Sequence, residues 1–265
     1  MKVHPTAIVD RAASLGAGVE VGPYSNVGPQ VSVGDGCVIQ SHVVLEGAVE
    51  IGRKNIIGHG SVIGAPPQDL GFKPETQSRV TIGDDNVIRE HCTIHRGTAE
   101  GSTTILGDRN FLMVGVHLGH NCRLGNDIII ANNCLLGGYV EVDGRAFLGG
   151  ASIFHQHVRV GRLVMTQGHS GIGKDVPPFT VTAGTNRVVG VNMIGLRRAG
   201  FTGAERDEIK RAFKLLYRSG LNLGQAAEQA AATDFGPNAR EFFAFAVSAR
   251  KRGIVPYRGA GANEE

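Results

Sequence analysis

The chain contains no tryptophan, and its other aromatic residues are few. Phe and Tyr together make up 6% of the 265 residues, which disfavours a surface that stacks nucleic-acid bases on aromatic rings. The net charge is only +3 at pH 7, so the overall charge adds little support for such a surface. We therefore predict no nucleic-acid partner.

Long apolar runs are also missing. No stretch reaches the ~20 apolar residues that a membrane-spanning helix needs, and we predict no integral membrane segment. The N-terminus lacks the charged and then apolar segments of a secretion signal, which favours a cytoplasmic protein. The four cysteines show no CxxC spacing, so free thiols are favoured over disulfides or a zinc site.

The chain is rich instead in aliphatic residues that recur every six positions. A period of six fits neither an amphipathic helix nor an alternating strand, and it is typical of a hexapeptide-repeat, left-handed parallel β-helix. The first part of the series is Val3, Val9, Leu15, Val21, Val27, Val33, Ile39, Leu45, Ile51, Ile57 and Ile63. After an interruption it continues at Ile82, Ile88 and Ile94, and after a second one at Leu106, Leu112, Leu118, Leu124, Ile130, Leu136, Val142, Leu148, Phe154, Val160, Thr166 and Ile172.

Three hexads form one triangular coil, so residues 18 apart should stack about 4.8 Å from each other. Each coil then buries its three inward side chains against the coils above and below. We predict such a β-helix over residues 1–190 and a C-terminal helical domain over residues 191–265.

Two segments interrupt the six-residue repeat. Residues 64–79 shift its phase by one, and residues 95–105 place Glu100 where an aliphatic side chain should lie. Loops that leave a regular solenoid often carry function. We predict that the first loop is a lid or a wall of a substrate site.

The C-terminal part has a different composition. Thr202-Gly203-Ala204-Glu205 is typical of a capping box, and helices are predicted from there to about 218, over 222–233 and over 237–252. Twelve Lys or Arg stand against eight Asp or Glu in this part of the chain. The basic residues either form an ordinary solvated surface or dock an acidic partner.

Two histidines flank an inward position of the solenoid. Leu118 points inward, so His117 and His120 should lie outside the prism and near an edge. They could be surface residues, ligands of a zinc ion shared between subunits, or a general base that acts near pH 7.

The expected stacking of residues 18 apart, which we call the stacking rule, helps to choose among these alternatives. Gly138 follows His120 by 18 residues and Gln156 follows Gly138 by 18, with His155 and His157 on either side. A glycine above a histidine leaves open space and an accessible backbone N–H, as a base beside an oxyanion donor requires. No carboxylate stands in these columns, so acyl transfer is favoured over a metal cluster.

With these motifs in view, the sequence resembles the UDP-N-acetylglucosamine O-acyltransferases that begin lipid A synthesis. The matching words are His4-Pro5-Thr6-Ala7, Gln68-Asp69-Leu70, Ile88-Arg89-Glu90, Thr93-Ile94-His95-Arg96-Gly97-Thr98, His117-Leu118-Gly119-His120, Ala131-Asn132-Asn133, His155-Gln156, Asp175-Val176-Pro177-Pro178, Gly190-Val191-Asn192 and Gly195-Leu196-Arg197-Arg198-Ala199-Gly200-Phe201.

The resemblance implies a homotrimer with sites between adjacent prisms and no cofactor. A 3-hydroxyacyl chain would pass from the phosphopantetheine of acyl carrier protein to the 3-hydroxyl of a UDP-sugar, with His120 as the base and Gly138 as the oxyanion donor. The basic helical part would receive the acidic carrier. Substrate-binding positions would be Gln68, Asp69, His117, His155, Gln156, Asn192 and Arg198. Met165 and Gly168 would lie in the acyl-chain groove, where the glycine leaves room for a long chain and Met165 could shorten it.

The chain departs from the family pattern at a few positions. Gly71 stands where a lysine is common, with Lys73 two places later, and Ala199 replaces a frequent basic residue. Asn121 follows the base where an aspartate is common, which removes a carboxylate that could orient the imidazole. Tyr139 replaces a histidine beside the oxyanion glycine.

Three alternatives stay open at this point. One is acylation of the 3-amino analogue of the sugar. The second is a trimeric zinc enzyme of the carbonic anhydrase type on the same solenoid, and the third is a non-catalytic scaffold.

Overall fold

A computed structural model describes residues 2–249 and 251–257, and over these residues the chain forms 28 strands and four helices. The strands, numbered in chain order, form three sheets, which are the faces of a prism. Sheet 1 contains β1 (Lys2–Val3), β4 (Glu20–Val21), β7 (Val38–Ile39), β10 (Ile56–Ile57), β13 (Val87–Ile88), β16 (Phe111–Leu112), β19 (Ile129–Ile130), β22 (Phe147–Leu148), β25 (Met165–Thr166), β27 (Thr180–Thr182) and β28 (Val188–Val191). Sheet 2 contains β2 (Ile8–Val9), β5 (Asn26–Val27), β8 (Val44–Leu45), β11 (Val62–Ala65), β14 (Thr93–His95), β17 (His117–Leu118), β20 (Leu135–Leu136), β23 (Ile153–Phe154) and β26 (Gly171–Ile172). Sheet 3 contains β3 (Ser14–Leu15), β6 (Val31–Val33), β9 (Ala48–Ile51), β12 (Arg79–Ile82), β15 (Thr103–Leu106), β18 (Arg123–Leu124), β21 (Glu141–Val142) and β24 (Arg159–Val160).

Strands one coil apart pair in parallel, and the 18-residue register holds where no loop intervenes, as between Leu118 and Leu136. The residues at the six-residue positions of the central coils are buried inside the prism, with Leu112 and Leu118 fully inaccessible. The predicted left-handed parallel β-helix with a C-terminal helical part is therefore confirmed. Residues 1, 250 and 258–265 of the two predicted domains lie outside the described residues.

The two interruptions of the repeat are loops that leave the prism. The first connects β11 to β12 through residues 66–78, and the second connects β14 to β15 through residues 96–102, so both are shorter than the sequence indicated. The loops contact each other, because the Gln77 backbone N–H donates to the Glu100 carboxylate over 3.0 Å and the Gly101 N–H donates to the Gln77 carbonyl over 2.7 Å. Glu100 thus joins the two loops.

A buried amide ladder runs through the coils from which the loops emerge. The Oδ1 atom of Asn55 accepts from the backbone N–H and the side-chain amide of Asn86, at 2.9 and 3.0 Å. Asn86 Oδ1 accepts in the same way from Asn110, at 2.8 and 3.0 Å, and Asn110 Oδ1 accepts from the Ile128 N–H. All three asparagines are buried. The ladder satisfies polar groups inside the prism and keeps these coils aligned despite the insertions.

The three faces of the prism differ in polarity. Side chains alternate inward and outward along each short strand, so the residue before each buried position points outward. Sheet 1 presents mainly apolar residues, among them Val38, Ile56, Val87, Phe111, Ile129, Phe147 and Met165. Sheet 2 presents Val44, Val62, Thr93, His117, Leu135 and Ile153. Sheet 3 presents Ser32, Glu50, Thr81, Arg123, Glu141 and Arg159, with Ile105 as an apolar exception. Two adjacent faces are therefore largely apolar and the third is polar.

The helices follow the last strand. They are α1 (Met193–Arg198), α2 (Gly203–Arg218), α3 (Leu223–Ala231) and α4 (Pro237–Val247). The predicted capping box is present at the start of α2, where Thr202 and Glu205 bond reciprocally. Two expectations need correction. The short helix α1, capped by Asn192, was not predicted. Helix α4 ends at Val247 rather than at 252, because the next N–H, that of Ala249, bonds to the Ala246 carbonyl three residues back in a closing turn.

The helical part is tied to the end of the prism by a buried ion pair and by backbone pairing. Arg159 on β24 forms a 2.8 Å ion pair with Asp175, whose side chain is 3% exposed, and also donates to the Ser248 carbonyl after α4. Ile254 pairs with Asp175, and Tyr257 pairs with Val188. Across residues 2–249 and 251–257, no helix has the length and hydrophobicity needed to cross a membrane.

The amide ladder gives a first testable prediction. Asn86→Ala removes the acceptor of two Asn110 donors and leaves buried polar groups unpaired, so we expect the free energy of unfolding to fall by about 2–4 kcal/mol. Urea unfolding at fixed protein concentration measures this change. Asn26→Ala on the exposed face of β5 is the matched control, and equal effects of the two substitutions would contradict a stabilising ladder.

Candidate active site

A cavity of about 400 Å³ lies beside sheet 2 and its edge with sheet 3. Its apolar wall includes Leu135 on β20 and Ile153 and Phe154 on β23. Its polar lining consists of Gln68, His95, His117, His120, His155 and Gln156, together with the backbone of Gly137 and Gly138. We call this space the histidine cleft.

His120 and Gly138 meet in the histidine cleft as the stacking rule predicts. The Tyr139 backbone N–H donates to the His120 carbonyl over 2.9 Å, which sets one coil directly against the next. A Cβ atom on Gly138 would lie 2.4 Å from both Cε1 and Nε2 of His120, so only glycine leaves room for this ring. Among the described residues, no protein group accepts the Gly138 N–H. The ring and this free N–H thus lie side by side at the cleft.

The side chain of Asn121 determines which nitrogen of His120 carries the proton. The backbone N–H of Thr98, which can only donate, is 3.0 Å from Asn121 Oδ1, so that atom must be the amide oxygen. The same oxygen lies 3.0 Å from His120 Nδ1, and Nδ1 must therefore donate to it. In the neutral ring this leaves the lone pair on Nε2, the nitrogen beside Gly138.

The neighbouring histidines are held in the neutral form. Burial is the largest cause that lowers the pKa of His117 to about 4, and the proximity of His95 and His120 lowers it further. Burial also lowers the pKa of His95, whose ring packs edge-on against that of His117 with centroids 5.1 Å apart. The Thr93 hydroxyl lies 2.7 Å from His117 Nδ1 and orients that ring. At neutral pH these two rings can therefore hydrogen-bond to uncharged polar groups without adding positive charge.

A second and larger cavity, of about 960 Å³, lies on sheet 1 beside α1. Ile129, Phe147, Leu163 and Met165 form part of its apolar lining. Arg145 and Arg198 add positive charge to its lining. We call this space the apolar groove.

The structure divides the predicted site residues between the two cavities. The histidine cleft contains Gln68, His117, His120, Gly138, His155 and Gln156, and the apolar groove contains Met165, Asn192 and Arg198. Neither lining includes Asp69 or Gly168. Asp69 accepts from the Gly71 N–H over 2.8 Å within its own loop, and Gly168 lies at the corner after β25. Asn192 is already engaged, because it caps α1 and donates to the Leu163 carbonyl over 2.8 Å.

Two contributors to the cleft were not assigned from the sequence. His95, 8% exposed, lines the cleft, and its Nδ1 atom has no hydrogen-bond partner among the described residues. Thr98 contacts Asn121 from the second loop. Both residues belong to the Ile-His-Arg-Gly-Thr motif, and only that motif indicates them. The 18-residue spacing does not, because a six-residue insertion shifts Thr98 out of register with the coils that follow.

Potential metal ligands do not converge in the part of the chain that the structure describes. Over residues 2–249 and 251–257, no three His, Cys, Asp or Glu side chains are grouped closely enough to hold a metal ion. All four cysteines are buried free thiols, as predicted.

Comparisons with known proteins agree with the fold. Residues 12–47 match the bacterial transferase hexapeptide (six repeats) model, and residues 175–255 match domain 2 of UDP-N-acetylglucosamine O-acyltransferase. The chain is 41% identical over 261 residues to the acyl-[acyl-carrier-protein]--UDP-N-acetylglucosamine O-acyltransferase of Paraburkholderia xenovorans, covering 96% of this chain and 99% of that protein. It is 45% identical over 229 residues to the protein of the same name from Halorhodospira halophila, with 86% and 88% coverage. The solved UDP-N-acetylglucosamine acyltransferase from Campylobacter jejuni superposes with a TM-score of 0.91 at 34% identity, covering 97% of this chain and 100% of that one.

A prism built of hexapeptide repeats and followed by a helical part places the chain in the class of bacterial hexapeptide-repeat transferases. Within that class, the near full-length identity to curated relatives identifies the family. The chain belongs to the UDP-N-acetylglucosamine O-acyltransferase family.

Proposed function

We propose that this protein transfers a 3-hydroxyacyl chain from acyl carrier protein to the 3-hydroxyl of UDP-N-acetylglucosamine, the first step of lipid A biosynthesis. The family supports the donor and the acceptor, since relatives named for this reaction match nearly the whole chain. The observation that carries the mechanism is the Nε2 lone pair of His120 beside the free N–H of Gly138.

In this mechanism His120 Nε2 removes the proton from the sugar 3-hydroxyl as that oxygen attacks the thioester carbonyl carbon. The new C–O bond forms and the negative charge moves onto the carbonyl oxygen. When the tetrahedral intermediate collapses, the C–S bond breaks and the imidazolium returns its proton to the departing thiolate of the carrier. No cofactor is required, because the proton that His120 gains in the first step is lost in the second.

The Gly138 N–H is suited to stabilise the negative charge on the carbonyl oxygen. It is a fixed backbone donor without a protein partner among the described residues, so it needs little rearrangement when charge develops. His117, His155 and Gln156 line the same cleft and would hold the sugar in place.

The protein would act as a homotrimer. Sheets 1 and 2 present adjacent apolar faces, and a threefold arrangement can bury sheet 1 of one protomer against sheet 2 of the next, leaving polar sheet 3 to solvent. The same arrangement would bring the histidine cleft of one protomer next to the apolar groove of its neighbour. One substrate could then contact both groups of predicted residues, with Arg198 contributed across the interface.

The apolar groove would hold the acyl chain, with Met165 in its lining. Gly168 lies at the corner three residues beyond Met165, where an added Cβ would first meet the Gly150 carbonyl oxygen at 3.2 Å. Asp69 would reach the sugar from the first loop.

Exposed basic residues of the helical part would receive the acidic carrier protein. Arg197, Arg211, Lys214 and Arg218 all have exposed side chains. They lie on α1 and α2, close in sequence to the residues of the apolar groove.

His120→Ala tests the base directly. We expect kcat/KM for acyl transfer to UDP-N-acetylglucosamine to fall by at least about 100-fold, because proton removal then depends on water. His42→Ala, at an exposed corner of an early coil, is the matched control and should retain activity.

The products of that assay are read by mass spectrometry, with UDP-N-acetylglucosamine and its 3-amino analogue offered together with carriers of mixed acyl length. We expect an ester on the 3-oxygen. If only the 3-amino analogue is acylated, the proposed acceptor is wrong and the amino sugar is the substrate. Full activity of the His120→Ala variant would show that this histidine is not the base.

Mixed trimers test whether the site lies between protomers. His120→Ala damages the cleft side and Arg198→Ala the groove side, so each variant alone should be weak. Random co-assembly leaves both sides intact at about a quarter of the interfaces (one half times one half). Co-expressed variants should therefore recover about a quarter of the parent activity. Separately purified variants, mixed without reassembly, are the control, and no recovery on co-expression would contradict a shared site.

A further inference from the structure

We propose that Thr98 and Tyr139 are positioning residues that hold the Asn121 amide with its oxygen toward His120, so that the imidazole keeps its Nε2 lone pair free. This inference rests on the proposed role of His120 as the base. It also assigns a role to the second loop, residues 96–102, which the reaction itself leaves unexplained.

The problem that these residues solve comes from the asymmetry of an amide. A carboxylate beside His120 would present an acceptor to Nδ1 in either rotamer. An asparagine presents an oxygen in one orientation and an NH₂ group in the other. If the amide flipped, its NH₂ would favour a lone pair on Nδ1 and a proton on Nε2, and the ring could no longer act as a base toward the cleft.

Two donors from Thr98 oppose that flip. The Thr98 backbone N–H and hydroxyl both lie 3.0 Å from Asn121 Oδ1. A flipped amide would place its NH₂ against the backbone N–H, and it would break the bond from the hydroxyl unless that hydroxyl turned to accept. Because Asn121 is 7% exposed, water cannot readily compensate for the lost bonds.

Tyr139 fixes the direction of the Thr98 hydroxyl. The hydroxyl has a single proton, which it donates to Asn121, so the Tyr139 hydroxyl, 3.1 Å away, donates to Thr98 Oγ1. The Tyr139 ring also packs edge-on against His120 with centroids 5.2 Å apart, and stacks on His157 at 4.7 Å. One side chain therefore supports both the amide and the imidazole.

The backbone of this turn is adapted to the arrangement. Asn121 has a φ of 60°, in the left-handed region that asparagine tolerates better than most residues. Its N–H donates to the Thr104 hydroxyl over 2.7 Å. The second loop thus holds the amide through Thr98, and β15, which follows it, holds the backbone through Thr104.

A double-mutant cycle separates positioning from a structural role. Thr98→Val removes the hydroxyl at nearly constant shape, and we expect kcat to fall about tenfold with KM for UDP-N-acetylglucosamine within about twofold. Thr98→Ser should restore kcat, and Tyr139→Phe should lower it by a smaller factor. In the Asn121→Asp background Thr98→Val should cost less than about twofold, because either carboxylate oxygen accepts from Nδ1.

Thr182→Val is the matched control. Thr182 on β27 is buried, and its hydroxyl has no hydrogen-bond partner among the described residues, so this substitution should leave kcat unchanged. Equal losses of kcat from Thr98→Val with and without Asn121→Asp would overturn the proposal, because the hydroxyl would then act independently of the amide. A loss of the same size from Thr182→Val would also overturn it, since removal of any buried hydroxyl would then suffice.

A spectroscopic readout makes the test independent of activity. With ¹⁵N-labelled histidine in the intact protein, His120 should show its proton on Nδ1 in the parent, and Thr98→Val should increase the form protonated on Nε2. An unchanged tautomer would overturn the role of Thr98. If instead the tautomer shifts as expected but His120→Ala stays fully active, the positioning is correct and the proposed base is wrong.

Discussion

The register between successive coils is the constraint on which the rest of the structure depends. Parallel strands pair residue for residue, at a spacing of 18 where no loop intervenes, and backbone bonds such as Gly119 N–H to the Leu136 carbonyl, 2.8 Å, repeat from coil to coil. Since each coil contacts only its neighbours, a side chain at a corner meets the residue one coil away and little else. This is why His120 lies against Gly138, and why a Cβ at position 138 would enter the space of the imidazole.

The two loops interrupt this regular arrangement without disturbing it. The buried ladder of Asn55, Asn86 and Asn110 crosses the coils that carry the insertions and keeps their backbones in register. The loops are therefore free to place side chains that a hexad could not place. Gln68 enters the histidine cleft from the first loop, and Thr98 reaches Asn121 from the second.

Much of the fold and part of the site follow from the sequence by counting. The six-residue period predicts the prism, and the 18-residue spacing predicts the pairing of His120 with Gly138, because both depend only on local repetition. Counting does not extend to residues 66–78 and 96–102, which lie outside the hexads, so it predicts no contact between Thr98 and Asn121. Asn121 in place of an aspartate predicts the loss of an orienting carboxylate, but in the structure the amide oxygen accepts from His120 Nδ1 and also from the Thr98 N–H. Counting along one chain also does not predict that the site residues lie on two different faces, because the way those faces meet depends on how protomers assemble.

The most direct test of this account is a crystal structure of the protein with the acylated sugar nucleotide bound. The account predicts that the 3-oxygen of the sugar lies within about 3 Å of His120 Nε2 and the ester carbonyl oxygen within about 3 Å of the Gly138 nitrogen. A sugar bound in the cleft with its 3-oxygen turned away from His120, or a carbonyl oxygen directed away from Gly138, would contradict it.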